Sequence, residues 1–403
     1  MMDSDKINKV LKLKRGKMKP KCSIIANPEG GAWEFAREAY KWVIKREADA
    51  RLEKREEVVK GLESGIHEEV AKGQEKRIHK DCQVLRSVVQ LLDSDLESES
   101  RYELNQVNVK VFPDGEAKPQ IRDNVREKIC FFIHDSSLEP NKWFTQLALV
   151  NNIMKNSSAC EVNDVLPYLK FSKQDRKDES RVSVSAAVVT NSLKEYAKRV
   201  ITVDVHNPAI QVGYDVAGVA FDNLYSFPLV VGKLREKLGE EVFDNLIIAS
   251  PDEGAARRAS AYAKRMGKGM VICYKRKSND GNIEKHYVLE DAEVRIKGKT
   301  ALIIDDQIAS GKTQLACAKS LREKGAKRVM SNCSLGLFTE GIEKLVDEKE
   351  GLDLIVVGDI VNVPYKHDKL VVIPYAPLIG EAIYRVSEGI SLSELFDRDD
   401  FNF

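Results

Sequence analysis

The segment TALIIDDQIASGKTQLACAKSLREKGAKRV, residues 300–329, contains the clearest fold signal in the sequence. A continuous apolar run ends in two adjacent carboxylates, Asp305 and Asp306, and a short polar loop then leads into a helical pattern. A buried strand followed by a loop and a helix N-terminus presents free backbone N–H groups and a positive dipole end to a phosphate. We therefore expect an anion-binding loop directly after this strand.

Further apolar runs on either side of this segment alternate with helical patterns. The predicted strands are 107–112, 129–133, 199–205, 245–250, 270–274, 300–305 and 352–359. The predicted helices between them include 183–198, 226–239, 254–266 and 312–325. Continuous apolar strands separated by helices are typical of a parallel sheet that is covered on both faces. The fold class is therefore α/β, with two such units.

The N-terminal quarter of the chain has a different texture. Residues 1–21 contain eight Lys or Arg against two Asp, which indicates a basic tail. From about residue 32 to residue 103 the pattern is helical, and residues 47–80 mix acids and bases at helical spacing. We expect a first domain over 22–217 with a helical insertion at about 48–104, for which we predict a role in assembly or partner contact. A second domain over 218–376 and C-terminal helices over 377–403 follow.

Composition excludes several classes of protein. The 403 residues are 43% apolar and 32% charged, which suits a protein with buried cores rather than a disordered chain. The 64 basic and 63 acidic residues nearly cancel, which does not favour a nucleic-acid-binding surface. No apolar run is long enough to span a bilayer. The seven cysteines lack Cys-x-x-Cys spacing, so we expect a cytoplasmic, reducing environment.

The GKT tripeptide at 311–313 resembles the end of a P-loop, but a P-loop would require glycine at position 306, where Asp306 stands. Two acids before an anion-binding loop suit a ribose phosphate instead. Carboxylates accept hydrogen bonds from vicinal hydroxyls, while loop amides bind the 5′-phosphate. The residues alone leave a second interpretation open, in which the acids only cap the following helix.

This loop resembles the phosphoribosyl-pyrophosphate (PRPP) loop of type I phosphoribosyltransferases, and other segments narrow the resemblance to ribose-phosphate pyrophosphokinases. VFPDGE resembles the family's Phe-Ser-Asp-Gly-Glu loop, and LPYLKFSKQDRK resembles its Arg-Gln-Asp-Arg run. The segments that resemble the family occur in family order: 111–116, 166–177, 201–216, 249–267, 273–280, 300–329 and 377–396, with a weaker trace at 23–31. The resemblance implies two phosphoribosyltransferase-like domains.

The resemblance also implies an activity and its site. The family transfers the β,γ-pyrophosphoryl group of ATP to the C1 hydroxyl of ribose 5-phosphate, with magnesium on the ATP phosphates, and it assembles as homo-oligomers that share the adenine site between subunits. The implied catalytic-loop residues are Lys275, Arg276 and Lys277. The implied ribose-phosphate residues are Asp305, Asp306, Ser310, Gly311, Lys312 and Thr313. The implied ATP residues are Phe112, Asp114, Glu116, Lys173, Gln174, Asp175 and His206. The implied metal ligands are His206 and Asp252.

Departures from the family pattern cluster at this site. Lys173 and Lys277 stand where the family has arginine, which exchanges a planar fork for a point charge. Lys312 stands where the phosphate loop has glycine, and SLGLFTEG (334–341) lacks the histidine of the family's Thr-His segment. The helical insertion is also foreign to the ordinary enzyme.

Three hypotheses follow from the resemblance and its departures. The first is a divergent PRPP synthetase. The second is the same chemistry on a larger 5′-substituted ribose such as ADP-ribose, whose additional charge Lys312 would meet. The third is a catalytically silent regulatory homologue. A nucleic-acid-binding regulator is a further class that only the basic tail supports.

Overall fold

The structure of the 403-residue chain is a computed structural model. It describes the backbone of residues 21–71, 89, 99–277, 283–289 and 296–395, and the side chains of these residues apart from 62–63, 65–71, 275–277 and 283–289. No helix within the described residues is both long enough and apolar enough to cross a membrane. The basic tail at 1–21 lies outside the described residues, except for its last residue.

The first domain is built on a mixed sheet of seven strands. The strands are β1 (Cys22–Ala26), β2 (Tyr102–Val111), β3 (Ala117–Ile121), β4 (Ile129–Ile133), β5 (Glu161–Val165), β6 (Arg199–Val203) and β7 (Ala220–Leu224). Their order across the sheet is β3-β2-β1-β4-β5-β6-β7. All neighbours are parallel except β2 and β3, which form an antiparallel hairpin at one edge. The apolar runs become buried strands because helices cover both faces of a parallel sheet.

Among the described residues, the helices of the first domain are α1 (Ala32–Ala71), α2 (Pro140–Asn156), α3 (Ser185–Leu193) and α4 (Gln211–Val216), the last preceded by the 3₁₀ turn Pro208–Ile210. The start of α2 shows why these segments become helices. Pro140 occupies the first turn, and the Glu139 carboxylate accepts hydrogen bonds from the backbone N–H groups of Asn141 and Lys142. These contacts satisfy donors that would otherwise lack partners at the helix N-terminus.

The second domain repeats this plan. Its strands are β8 (Leu246–Ser250), β9 (Met270–Lys277), β10 (Ile283–Leu289), β11 (Thr300–Ile308), β12 (Arg328–Gly336), β13 (Leu354–Gly358) and β14 (Leu370–Ile373). Their order is β10-β9-β8-β11-β12-β13-β14. The pair β9 and β10 is antiparallel and the other pairs are parallel. The helices are α5 (Phe227–Leu238), α6 (Glu240–Asp244), α7 (Ala256–Met266), α8 (Lys312–Glu323) and α9 (Ala376–Glu388), followed by the 3₁₀ turn Ser393–Leu395.

The two domains share one continuous hydrophobic core, and α9 of the second domain packs against α1 of the first. The buried carboxylate of Glu381 fastens this contact, because it accepts hydrogen bonds from Trp42 Nε1 (3.0 Å), Arg46 Nε (3.0 Å) and Arg385 Nε (2.8 Å). The helices approach so closely that a Cβ atom at Gly380 would lie 2.6 Å from the backbone oxygen of Ala39. The domains are therefore held together by a helix contact as well as by the shared core.

The predicted fold class is confirmed, and the structure corrects two boundaries. The domain boundary at 217/218 is wrong, because β7 (Ala220–Leu224) pairs with β6 and completes the first sheet. The helical pattern does begin at Ala32, but it cannot extend to 103, because β2 begins at Tyr102. The described part of the insertion continues α1 without a break to Ala71, and the rest lies outside the described residues, apart from residue 89 and the segment from 99 onward.

Candidate functional site

Seven of the predicted site residues line a cavity of about 740 Å³ at the carboxyl ends of the parallel strands: His206, Asp252, Asp305, Asp306, Ser310, Gly311 and Thr313. Strand β8 leads to Asp252, and β11 carries Asp305 and Asp306 beyond the last residue that β8 pairs with. The point between β8 and β11 is where the order of the second sheet reverses, which is the position where open α/β sheets bind ligands. His206, which follows β6 of the first domain, completes the wall. The cavity therefore belongs to both domains.

Asp305 and Asp306 both line this cavity, but their environments differ. The Asp305 carboxylate accepts hydrogen bonds from Gln314 Nε2 (3.2 Å) and from the backbone N–H of Asp306 (2.9 Å). Burial and the negative charge of Asp306 raise the pKa of Asp305. Burial alone would also raise the pKa of Asp306, but the hydrogen bond from His206 and the charge of Arg258 outweigh it and lower that pKa. Two adjacent carboxyl groups whose pKa values shift in opposite directions can accept hydrogen bonds from sugar hydroxyls and also donate one to them.

His206 contacts Asp306 across the domain boundary. Its Nδ1 lies 2.8 Å from Asp306 Oδ2, and this hydrogen bond raises the pKa of the imidazole, although burial partly opposes the shift. A carboxylate on Nδ1 fixes the orientation of the ring and makes Nε2 the better metal-binding atom. The structure thus gives His206 the environment that histidine ligands of metal ions usually have.

Asp252 lies in the loop between β8 and α7 and lines the same cavity as His206. Its Oδ1 accepts a hydrogen bond from the backbone N–H of Ala255 at 3.1 Å, which orients the carboxylate. Within the part of the chain that the structure describes, no group of three or more His, Cys, Asp or Glu side chains could hold a metal ion. One imidazole and one carboxylate on a shared cavity fit a magnesium ion that keeps its other positions for water and phosphate oxygens.

The phosphate loop lies between β11 and α8, and Ser310, Gly311 and Thr313 line the cavity. Gly311 has φ of +78°, and a Cβ atom there would lie 2.6 Å from the Leu345 side chain, so this position requires glycine. The first turn of α8 presents its backbone N–H groups to the loop.

The Lys312 side chain was expected in the phosphate loop, but it points away from the cavity. It is not among the groups that line the cavity, because its Nζ donates a hydrogen bond to Glu340 Oε1 at 2.6 Å. The Lys312 side chain is 71% exposed. The backbone of Lys312 begins α8, so the residue belongs to the loop through its main chain only.

A second cavity of about 660 Å³ adjoins the first and is lined in part by Lys173, Gln174 and Asp175. Two of these residues are bound to neighbours: Gln174 Nε2 donates to Asp178 Oδ1 (2.9 Å), and Asp175 Oδ2 accepts from Asn207 Nδ2 (2.5 Å). Several lining residues were not predicted individually: Arg176, Tyr225, Phe227, Arg257, Arg258 and Arg265. Cations beside aromatic rings suit a nucleotide polyphosphate. The basic pattern of 254–266 is the sequence feature that could have indicated Arg257, Arg258 and Arg265.

Two predicted groups lie apart from both cavities or cannot be placed. Phe112, Asp114 and Glu116 form the exposed turn between β2 and β3, and none of them lines either cavity of this chain. Their predicted adenine contact in a neighbouring subunit stays a prediction. The backbone of Lys275, Arg276 and Lys277 forms the end of β9, and their side chains lie outside the described residues.

Comparisons with known proteins agree with these motifs. Residues 84–196 match the family model for the N-terminal domain of ribose phosphate pyrophosphokinase, and residues 221–368 match the model for the phosphoribosyl transferase domain. A crystal structure of phosphoribosylpyrophosphate synthetase from Mycobacterium smegmatis covers 92% of this chain and 99% of its own, with a TM-score of 0.66. At 22% identity this similarity concerns the fold.

Curated relatives carry the assignment further. The chain is 35% identical to the ribose-phosphate pyrophosphokinase of Thermosipho africanus, over 71% of this chain and 87% of the relative. It is also 35% identical to the ribose-phosphate pyrophosphokinase of Aquifex aeolicus, over 72% of this chain and 90% of the relative. Because this identity extends over most of both chains, the chain belongs to the ribose-phosphate pyrophosphokinase family of enzymes.

Proposed function

We propose that the protein transfers the β,γ-pyrophosphoryl group of ATP to the C1 hydroxyl of ribose 5-phosphate, giving PRPP and AMP. The observation that carries this proposal is the wall shared by the two cavities. Arg176, His206, Gly254 and Arg258 line both of them. A donor polyphosphate in the second cavity and a sugar in the first would meet at this wall.

The acceptor would bind through the second domain. The backbone N–H groups of the phosphate loop (Ser310–Thr313) hold the 5′-phosphate, and Asp305 and Asp306 hold the ribose hydroxyls. These contacts orient the C1 hydroxyl toward the shared wall. Its oxygen bonds to the β-phosphorus while the bond from that phosphorus to the α,β-bridging oxygen breaks, so AMP leaves with that oxygen and the hydroxyl proton passes to water.

The donor would bind through residues of both domains. Lys173, Arg176 and Arg258 place cations around the polyphosphate, where charge develops during transfer. His206 and Asp252 would hold magnesium, which supplies charge neutralisation and alignment of the phosphates when bound. We further propose that Lys275 acts on the transferring group, with Arg276 and Lys277 beside it, and that Phe112, Asp114 and Glu116 of a neighbouring subunit hold the adenine.

A larger 5′-substituted acceptor such as ADP-ribose is the second candidate, because Lys312 lies in the first turn of α8. Its ion pair with Glu340 is exposed, and such solvent-screened pairs contribute little to stability. A second phosphate could therefore displace Glu340 at little energetic cost. The present pairing of Lys312 outside the cavity nevertheless favours the phosphate monoester as acceptor.

The test is a parallel assay with magnesium, ATP and either ribose 5-phosphate or ADP-ribose, which measures AMP and a pyrophosphorylated product. We expect turnover of ribose 5-phosphate. Turnover of ADP-ribose alone would establish the second candidate, and turnover of neither would favour a silent regulatory homologue. His206→Ala should remove turnover. His367→Ala, at an exposed histidine that lines neither cavity, should keep it.

A further inference from the structure

Asp204, the first residue after β6, has an unusual backbone conformation. Its φ is +43°, and only 9% of the residue is exposed. Positive φ is uncommon for residues other than glycine, although aspartate tolerates it better than most. The chain therefore turns sharply at a buried carboxylate, two residues before His206.

The carboxylate of Asp204 is bound from the opposite domain. The hydroxyl of Ser334, on β12, donates a hydrogen bond to Asp204 Oδ2. The guanidinium of Arg258, on α7, lies 3.7 Å from Asp204 Oδ1. Both partners belong to the second domain, whereas Asp204 follows the last buried residues of β6 in the first. We call Asp204, Arg258 and Ser334 the Asp204 hub.

Arg258 also holds the backbone of the loop that carries His206. Its Nη2 donates hydrogen bonds to the backbone oxygen of Asp204 (3.3 Å) and to that of Val205 (3.0 Å). A planar guanidinium can make several such bonds in a fixed geometry, which an ammonium group cannot. The residue immediately before His206 is therefore fixed in place by a side chain of the second domain.

The two domains are also held together by contacts away from the hub. They already share one hydrophobic core, and the Glu381 cluster fastens α1 to α9 elsewhere. The hub differs from these contacts because it includes the loop just before His206, whose Nδ1 contacts Asp306 Oδ2. Histidine and acid come from different domains, so their 2.8 Å separation depends on the placement of the intervening loop.

We propose that Asp204 is a positioning residue, which acts through Arg258 and Ser334 to set His206 against Asp306. A buried carboxylate with these partners cannot shift without losing the Ser334 hydrogen bond and the ion pair with Arg258. The loop before His206 thus has one defined position relative to the second domain. The catalytic part of this inference rests on the proposed function, and the geometric part does not.

The geometric part is tested by the ¹H–¹³C spectrum of the histidine rings at one fixed pH. The chain has six histidines, and His206→Gln identifies the His206 signal. In Asp204→Ala we expect this signal to move toward its position in Asp306→Asn, where the ring has lost its carboxylate partner. Glu47→Ala is the matched control, because Glu47 is also a buried, hydrogen-bonded carboxylate of the first domain. An unmoved His206 signal in Asp204→Ala would overturn the proposal.

The catalytic part is tested by a double-mutant cycle on PRPP formation. Alone, Asp204→Ala should lower kcat/KM about tenfold or more. In an Asp306→Asn background, which keeps a measurable residual activity, it should lower kcat/KM less than twofold, because it acts through the contact between His206 and Asp306. Asp204→Asn, which can still accept the Ser334 hydrogen bond, should recover part of the loss. Equal losses in both backgrounds would show an independent structural effect and contradict the proposal.

A milder variant covers the case in which Asp204→Ala does not fold. Ser334→Ala removes one hydrogen bond and should shift the His206 signal in the same direction by a smaller amount. No shift in this folded variant would count against the hub. If the wild-type protein forms no PRPP, the proposed function fails, while the histidine spectra still decide whether Asp204 positions His206.

Discussion

The two domains have the same architecture, yet the same edge of each sheet is used differently. In the second domain the order reverses between β8 and β11, and Asp252, Asp305 and Asp306 open into a cavity there. In the first domain the order reverses between β1 and β4, and Asp135 stands at the corresponding edge. Asp135 lines neither of the two cavities.

The backbone around Asp135 accounts for this difference. Its carboxylate accepts hydrogen bonds from the backbone N–H groups of Gly31 (2.7 Å) and Ser137 (2.8 Å). Backbone groups of the same chain therefore occupy both carboxylate oxygens. A Cβ atom at Gly30 would lie 2.7 Å from Asp135 Oδ2, which shows how little space is left. An acid at a strand end therefore becomes a binding group only where the following loop leaves it accessible.

The largest expected contrast is between the equivalent acids of the two edges. Asp306→Asn should lower kcat/KM about 10³-fold, because it removes the charge that faces His206 and the sugar hydroxyls. Asp135→Asn should keep activity within about threefold but destabilise the fold by about 1–2 kcal/mol, because it weakens two charge-assisted hydrogen bonds. Steady-state kinetics and urea unfolding measure the two effects. Equal activity losses in both variants would contradict the contrast.

A second contrast concerns Asp164, which is fully buried in the first domain away from both cavities. Burial raises the pKa of this carboxyl to about 7, and a hydrogen bond from Asn151 only partly opposes the shift. Between pH 4 and 7 the folded state binds more protons than the unfolded state, so the free energy of unfolding falls as the pH rises. The full shift corresponds to roughly 4 kcal/mol at most.

Asp164→Asn removes this titration and should therefore gain stability relative to the wild type at pH 8, with a smaller difference at pH 5. Urea unfolding at the two pH values measures the change. Asp123→Asn, at an exposed acid of the same domain, should follow the wild type at both pH values. The idea fails if the difference between Asp164→Asn and the wild type is the same at pH 5 and pH 8.

A third contrast compares two glycines with positive φ. Gly311→Ala should raise the KM for ribose 5-phosphate about tenfold and lower stability by about 1–3 kcal/mol, because the methyl group would meet Leu345 and deform the phosphate loop. Gly218→Ala, with φ of +73° and no atom within 4 Å of the added Cβ, should cost only about 1 kcal/mol and leave KM unchanged. An unchanged KM in Gly311→Ala would remove this loop from the acceptor site.

The smallest expected effect is at the exposed pair Lys312–Glu340. If ribose 5-phosphate is the acceptor, Lys312→Gly should change its kcat/KM by less than about threefold, because the ammonium lies outside the cavity. If an acceptor with two phosphates is used, the same variant should lose preference for it, and Glu340→Gln should strengthen that preference. Competition between ribose 5-phosphate and ADP-ribose measures the ratio directly.

Much of the fold could be predicted from the sequence, because the most apolar strands are visible as continuous apolar runs. The run ICFFI was predicted as 129–133 and forms β4 (Ile129–Ile133). By contrast, β5 (Glu161–Val165) was missed, since its buried Asn163 and Asp164 interrupt the apolar pattern. Strand β7 (Ala220–Leu224) was missed because it lies at the edge of the sheet and is only partly buried.

The sequence could indicate the part of the candidate site that lies in one short stretch, namely Asp305, Asp306 and the loop that follows them. The contact between His206 and Asp306 joins residues 100 positions apart, so no local pattern could reveal it. Arg258 was overlooked for the same reason: its partners Asp204 and Val205 lie 54 and 53 positions away. Lys312 shows a different limit of the sequence. Its position in the phosphate loop can be read from the sequence, but the turn of its side chain toward Glu340 cannot.

The most direct test of the central claim, that donor and acceptor meet at the wall shared by the two cavities, is ³¹P NMR of a single reaction. The protein, magnesium, ATP and ribose 5-phosphate would be observed together, with His206→Ala as the comparison. We predict the appearance of AMP and of a pyrophosphoryl group on the sugar in equal amounts, and neither in the variant. Formation of ADP, or undiminished product with His206→Ala, would contradict the account.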